Sequence, residues 1–202
     1  MGLSKIDTEL LECYKAAKVF DSLDGHKLDA KSGLILVTCG DPDQFMEQFQ
    51  YKVDTIVESG CCKRIQPMTP LGGALRLAHD SPANRETPFY AESLLFDMRY
   101  VTEHKDVSTV ALYIHAPCAM AAYAGMSFRD IIEAAFSAKQ RIKEELPGVK
   151  VAVFCHVDYG EGRKKTYFVC RSRWAQYHSG PMAHLAMLFP DRFTILNQTP
   201  GH

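Results

Sequence analysis

Apolar residues follow two rhythms along this chain. The runs at 34–38 and 109–114 are short, unbroken and rich in aliphatic side chains, the pattern of strands buried on both faces of a parallel sheet. A third such run spans 149–155. A fourth at 164–170 follows the polar turn 158–163 and reads as the second limb of a hairpin. Between these runs the apolar positions recur at helical spacing. Residues 5–20 place Ile6, Leu10, Leu11, Tyr14, Ala17 and Val19 on one stripe. Asp41 and Pro42 open a helix reaching Gly60, with Phe45, Phe49, Val53, Ile56 and Val57 as its inner stripe. Thr87 and Pro88 open another, with Phe89, Leu94, Leu95, Met98 and Val101 turned inward and His104-Lys105-Asp106 at its end. Ser127 and Asp130 form a capping box for a helix over 127–146, which Pro147-Gly148 stops. A short helix at 181–188 and a last strand at 193–196 complete the pattern. Residues 61–87 keep neither rhythm: Cys61 to Ile65 start a short strand, and Leu71-Gly72-Gly73-Ala74 suits a tight turn or a close backbone approach.

This order of elements predicts an α/β fold: a mostly parallel central sheet with flanking helices and an antiparallel edge. With 202 residues and no repeat or linker, the chain reads as one domain over 1–202. Within it, 1–30 form an N-terminal helical arm and 171–202 a C-terminal edge or interface extension. The composition (47% hydrophobic, 23% charged) is that of a globular protein, and a formal net charge of -1 gives no field for nucleic acid or an anionic membrane. No apolar run is long enough to span a bilayer, and the N-terminus carries an early acid where a signal peptide has its apolar stretch. Seven cysteines without an export signal point to free thiols or metal ligands in a cytoplasmic protein.

Two strand ends carry the chemistry. The 109–114 run leads into His115-Ala116-Pro117-Cys118, an H-x-x-C pair, and the 34–38 run ends on Cys39-Gly40-Asp41. Zinc takes thiolate and imidazole ligands in a tetrahedron, and a catalytic zinc keeps one position for water or substrate. Cys39, His115 and Cys118 offer a Cys2His set at the carboxyl edge of a parallel sheet, where such sites form. Asp41 would orient a water, accept its proton or fill the fourth position. Against this stand plainer readings. Buried cysteines are common, a histidine at a strand end is ordinarily just hydrogen-bonded, and a Cys118–His115 thiolate nucleophile is a third arrangement. Other groups are blander. Cys61-Cys62 reads as a pair of half-buried thiols, Cys155 as core, and His156 and Asp158 as an outer shell of the same crevice. His178 and His184 read as surface or interface residues. Gly72-Gly73 lacks the Lys-Ser/Thr of a phosphate loop, and the basic clusters at 163–165 and 171–173, beside Trp174, read as solvated tips.

Cys39-x-Asp41 after one strand, a glycine-containing segment, a helix, then His115-x-x-Cys118 after another strand resembles the β-class carbonic anhydrase family over roughly 30–160. That resemblance implies zinc held by Cys39, His115 and Cys118, with Asp41 as the carboxylate beside the metal. It implies a dimer or higher homo-oligomer with active sites near the subunit interface. The implied reaction is hydration of carbon dioxide to bicarbonate, with zinc-activated hydroxide as nucleophile. Two positions depart from the family pattern. Asp43 stands where the family has an arginine that holds the carboxylate off the metal, and Ala119 follows Cys118 where the family has glycine. Without that arginine Asp41 is drawn toward the metal, unless Arg64, Arg76 or Arg99 takes its place. The alternative is therefore a protein of the same fold in which Asp41 closes the zinc site and the metal is structural or ligand-sensing. A metal-free α/β binding domain is the remaining reading.

Overall fold

The computed structural model describes residues 2–21, 30–58 and 64–179, of 55–58 only the backbone. Six strands lie in one sheet: β1 (Phe20–Asp21), β2 (Leu34–Val37), β3 (Ile65–Met68), β4 (Thr109–Ala116), β5 (Lys150–Asp158) and β6 (Lys164–Val169). Their order is β1-β6-β5-β4-β2-β3. From β3 to β5 neighbouring strands are parallel, whereas β6 and β1 join antiparallel at one side. The helices are α1 (Lys5–Ala16), α2 (Phe45–Glu58), α3 (Tyr90–Lys105), α4 (Ala119–Tyr123), α5 (Phe128–Glu145) and α6 (Arg171–Ser179). The α/β class, the parallel core and the antiparallel edge agree with the sequence.

Connection handedness decides which helix covers which face. A parallel crossover is right-handed, so reversing the direction of travel across the sheet moves the helix to the other side. From β2 the chain steps outward to β3 through α2. It then returns past β2 to β4 through α3, and continues the same way to β5 through α5. Accordingly α3 and α5 share one face and α2 lies on the opposite one. The large core sits on the α3/α5 face, where Ile35, Val37, Val110, Leu112, Ile114, Val153 and Cys155 meet Leu95, Met98, Ile131, Ile132 and Ile142. Tyr14 of α1 joins this core in an aromatic cluster with Phe20, Phe128 and Trp174. Trp174 is thus core, its basic neighbours notwithstanding.

The α2 face is smaller and differs from expectation. The expected inner stripe Phe45, Phe49 and Val53 is only half-buried, while Gln44, Gln48 and Lys52 are the residues turned inward. The sheet explains the inversion. Alternation along the strands puts Thr38, Tyr113, His115, His156, Asp158 and Thr166 on the α2 side, and these polar groups meet a polar stripe. The Gln44 side-chain amide donates to the Asp158 carboxylate (3.1 Å), and the Thr38 hydroxyl donates to the Gln48 side-chain Oε1.

Several boundaries moved. α1 stops at Ala16: Lys18 takes a left-handed conformation (φ 55), turning Val19 and Phe20 into the sheet. Ile6 in its first turn is exposed. Phe89 is 81% exposed because the helix begins at Tyr90, which makes Phe89 the cap and drops it from the helical rhythm. β4 and β5 run further than their apolar cores, because polar His115, His156 and Asp158 still pair across the sheet. The irregular 61–87 stretch contains β3 and two 3-10 turns, Gly73–Leu77 and Pro82–Asn84. The expected elements at 181–188 and 193–196, and Cys61, Cys62 and His184, lie outside the described residues.

Candidate metal centre

β2 and β4 are neighbours in the sheet, but the chain leaves their carboxyl ends toward opposite faces: into α2 after β2, into α4 and α5 after β4. Such a reversal opens a crevice at the strand ends, the usual place for a site in an open α/β sheet. Cys39 lies two residues past β2, His115 is the penultimate residue of β4, and Cys118 is the N-cap of α4. One ligand atom from each lies within 4.8 Å of the others, and all three side chains are buried.

A third segment closes over Cys39. The Gly72 amide donates to the Cys39 sulfur at 3.1 Å. Gly72 and Gly73 both hold positive φ (95 and 54), which glycine adopts without steric cost. The doublet is the close backbone approach its sequence suggested, and its partner is the Cys39 backbone. Met120 of α4 packs on Gly72 from the other side. A cleft of about 290 Å³, lined by Arg76, Ala83, Thr87, Met120 and Tyr123, borders this shell. A larger one of about 580 Å³, at His79, Glu92 and Arg141, lies elsewhere on the surface.

The electrostatics push the two sulfurs in opposite directions. The hydrogen bond from the Cys118 thiol, then the nearby His115 imidazole and the Gly72 amide, pull Cys39 down to about 4 despite burial. Cys118 is pushed up, since it donates its proton to Cys39 and is itself buried. Among the described residues neither ring nitrogen of His115 has a hydrogen-bond partner, although the residue is only 2% exposed. A buried imidazole with nothing on either nitrogen is costly, and a cation on one nitrogen removes much of that cost. In a tetrahedral zinc site neighbouring donors stand about 3.5–3.8 Å apart, given metal–ligand bonds of about 2.0–2.3 Å. The donor set, its spacing and the orphaned imidazole therefore fit zinc.

Asp41 stands outside this set. Its Oδ1 accepts from the Asp43 amide at 2.9 Å, an Asx turn at the entrance to α2. None of the three candidate arginines replaces the missing partner. Arg64 donates to the Ser32 and Lys105 carbonyls at the amino ends of the strands, and Arg99 pairs with Glu145. Arg76 is spent bracing its own segment, on the Leu71 and Ala83 carbonyls and the Thr87 hydroxyl. Instead Lys164 of β6 reaches across to the Asp43 carbonyl (2.7 Å) and Glu47 (3.0 Å). Nothing in the sequence pointed to Lys164, because a strand-start lysine reads as solvent-facing. His156 pairs in register with His115. Its Nδ1 meets the Thr166 hydroxyl at 2.8 Å, and burial lowers it to about 4, with Glu47 opposing. Cys155 points into the opposite core, and His178 stacks on Trp174.

Neither a family model nor a curated protein matches the chain. Two solved structures are similar to it at 11% identity. One is a β-carbonic anhydrase isoform I from Trichomonas vaginalis, with 83% of this chain and 99% of that one covered and a TM-score of 0.38. The other is the β-carbonic anhydrase CafA of Aspergillus fumigatus, with 78% and 81% covered and a TM-score of 0.36. No helix among the described residues is long and apolar enough to cross a membrane.

Proposed function

We propose that the chain is a zinc-dependent lyase that hydrates carbon dioxide to bicarbonate, with Cys39, His115 and Cys118 as the metal ligands. The observation that carries this reading is the buried Cys2His cluster where the carboxyl ends of β2 and β4 part, with an imidazole that meets no hydrogen-bond partner among the described residues. The likeness of Cys39-x-Asp41 and His115-x-x-Cys118 to the carbonic anhydrase pattern supplies the substrate. A zinc ion, when bound, supplies Lewis acidity that makes water a nucleophile near neutral pH.

The chain's own residues do the rest. Gly72 donates to the Cys39 sulfur and so fixes that ligand from outside the cluster. Burial of all three donors excludes competing water and strengthens their field. Asp41 is the carboxylate nearest in sequence to the ligands, and its role is to accept a proton from the attacking water. The Asx turn with Asp43 supports an open fourth position, because a backbone N–H does part of the restraint that an arginine would provide. The cleft between Arg76 and Met120, which borders the Gly72 shell, is our candidate for the mouth. We further propose a homodimer or larger homo-oligomer in the cytoplasm. Stopped-flow hydration assays on zinc-loaded protein, at several pH values above neutrality, test the reaction. Rates above buffer that rise with pH are expected, and none above buffer at any pH ends it.

The second reading, Asp41 as a fourth ligand closing the site, is favoured by the engagement of Arg64, Arg76 and Arg99 with other partners. It predicts that Asp41→Ala weakens zinc binding, whereas the open-site reading predicts that zinc stays.

A further inference from the structure

Asp43 is held on both sides of its Cα. Its N–H donates to Asp41 Oδ1 at 2.9 Å, and its carbonyl accepts from the Lys164 ammonium at 2.7 Å. Lys164 opens β6 and pairs in register with Asp158 across the hairpin from β5. Its side chain is only 17% exposed, and the ammonium also donates to Glu47 Oε1, in the first turn of α2, at 3.0 Å. The other Glu47 oxygen lies 3.5 Å from His156 Nε2. Next to Asp43, the Gln44 side-chain amide donates to Asp158, whose second oxygen accepts from the Gly160 amide at 2.8 Å. The β5–β6 hairpin thus ties down two successive residues of the turn that follows Cys39 and Asp41.

The turn needs that anchorage. The Asx bond is a single hydrogen bond from a backbone N–H to a carboxylate, at an exposed position. A divalent cation on Cys39, two residues before Asp41, attracts the same carboxylate. If Asp43 is free to follow, the turn swings with the carboxylate toward the metal. If Asp43 is pinned, the carboxylate keeps its backbone partner and stays beside the metal. We propose that Lys164 is the positioning residue for Asp41: by fixing the Asp43 carbonyl to the hairpin, it holds the Asx turn and keeps the fourth metal position free for water. Glu47 steadies the ammonium from α2, so the tether has a fixed point at each end. The inference rests on the open-site reading above and names the group that keeps the site open. A lysine suits the task because its ammonium carries three donors, enough to serve the carbonyl and the carboxylate together.

Zinc affinity of the full-length protein, measured by competition with a chelator, tests this without reference to turnover. Lys164→Met keeps the hydrocarbon of the side chain and removes the ammonium. It should bind zinc about tenfold more tightly, the lower end of the scale on which groups outside the ligand set move affinity, because the released Asp41 adds a protein ligand. Lys164→Arg, whose guanidinium also donates to a carbonyl and a carboxylate, should return the affinity to the wild-type value. In the Asp41→Ala background Lys164→Met should change nothing, since the carboxylate it would release is gone. Glu47→Ala should act in the same direction as Lys164→Met, and decides the matter if that variant does not fold. An affinity unchanged or weakened in Lys164→Met, or a tightening that persists in the Asp41→Ala background, overturns the proposal. A wild-type protein that binds zinc without hydrating carbon dioxide would refute the reaction and leave this comparison standing.

Discussion

Gly73 lies so close to Cys39 that a Cβ on the glycine would come 2.7 Å from the Cys39 amide nitrogen. The same carbon would be 2.9 Å from the Thr38 carbonyl carbon and from the Tyr113 oxygen. Three segments therefore converge on one glycine: the end of β2, the 3-10 turn and the middle of β4. Gly73→Ala faces both a left-handed backbone and a backbone clash, so it should lose about 2–4 kcal/mol of stability. Urea unfolding measures the loss. Bound zinc per chain should fall with it, because the clash pushes on the Cys39 backbone.

Lys52 should tilt the pH dependence of stability. Its folded pKa is about 7 against 10.5 for the free side chain, so between those values the unfolded chain holds a proton that the native one has shed. Stability therefore rises with pH across that window and is lost as pH falls from its top toward neutrality, levelling off below the folded value. Between about pH 7 and pH 9 the gain from this residue is about 2–3 kcal/mol. Lys52→Met should remove that slope and leave the protein more stable at neutral pH. Urea midpoints at a series of pH values check both.

The two strand ends were legible in the sequence and the face above them was not. Parallel strands buried on both sides appear as unbroken apolar runs, so the ends at Cys39 and His115 could be placed from residue type alone. α2 misled because its phenylalanines and valines recur at helical spacing. Only the folded sheet reveals that Thr38, Tyr113 and Asp158 on the facing strands favour Gln44, Gln48 and Lys52. The Gly72-Gly73 doublet announced a close approach but not its partner, since a partner thirty residues away leaves no local trace. Lys164 leaves none either: its contact with the turn after Cys39 exists only once the hairpin has folded back against β5.

Ser127 should matter to stability and not to the metal. Its side chain accepts from the Asp130 amide and Asp130 reciprocates on the Ser127 amide, a complete capping box on the helix that packs beneath β4 and β5. Ser127→Ala should cost about 1 kcal/mol. Thermal or urea unfolding reads the cost, and zinc per chain should stay at the wild-type level.

Asp41 separates binding from turnover. Held in its Asx turn and outside the ligand cluster, it would, on the open-site reading, act on the reacting water and not on the metal. Asp41→Ala should retain zinc by elemental analysis while carbon dioxide hydration falls by about 100-fold, in line with loss of a positioned proton acceptor.

The donor set itself is open to direct observation. Zinc-edge X-ray absorption on the zinc-loaded chain should give one metal with two sulfurs at about 2.3 Å, one imidazole nitrogen at about 2.0 Å and one further light atom. Cys39→Ser should lose one sulfur or the metal altogether. A chain that binds no zinc, or a spectrum without exactly that pair of sulfurs and single imidazole, would contradict Cys39, His115 and Cys118 as the ligands.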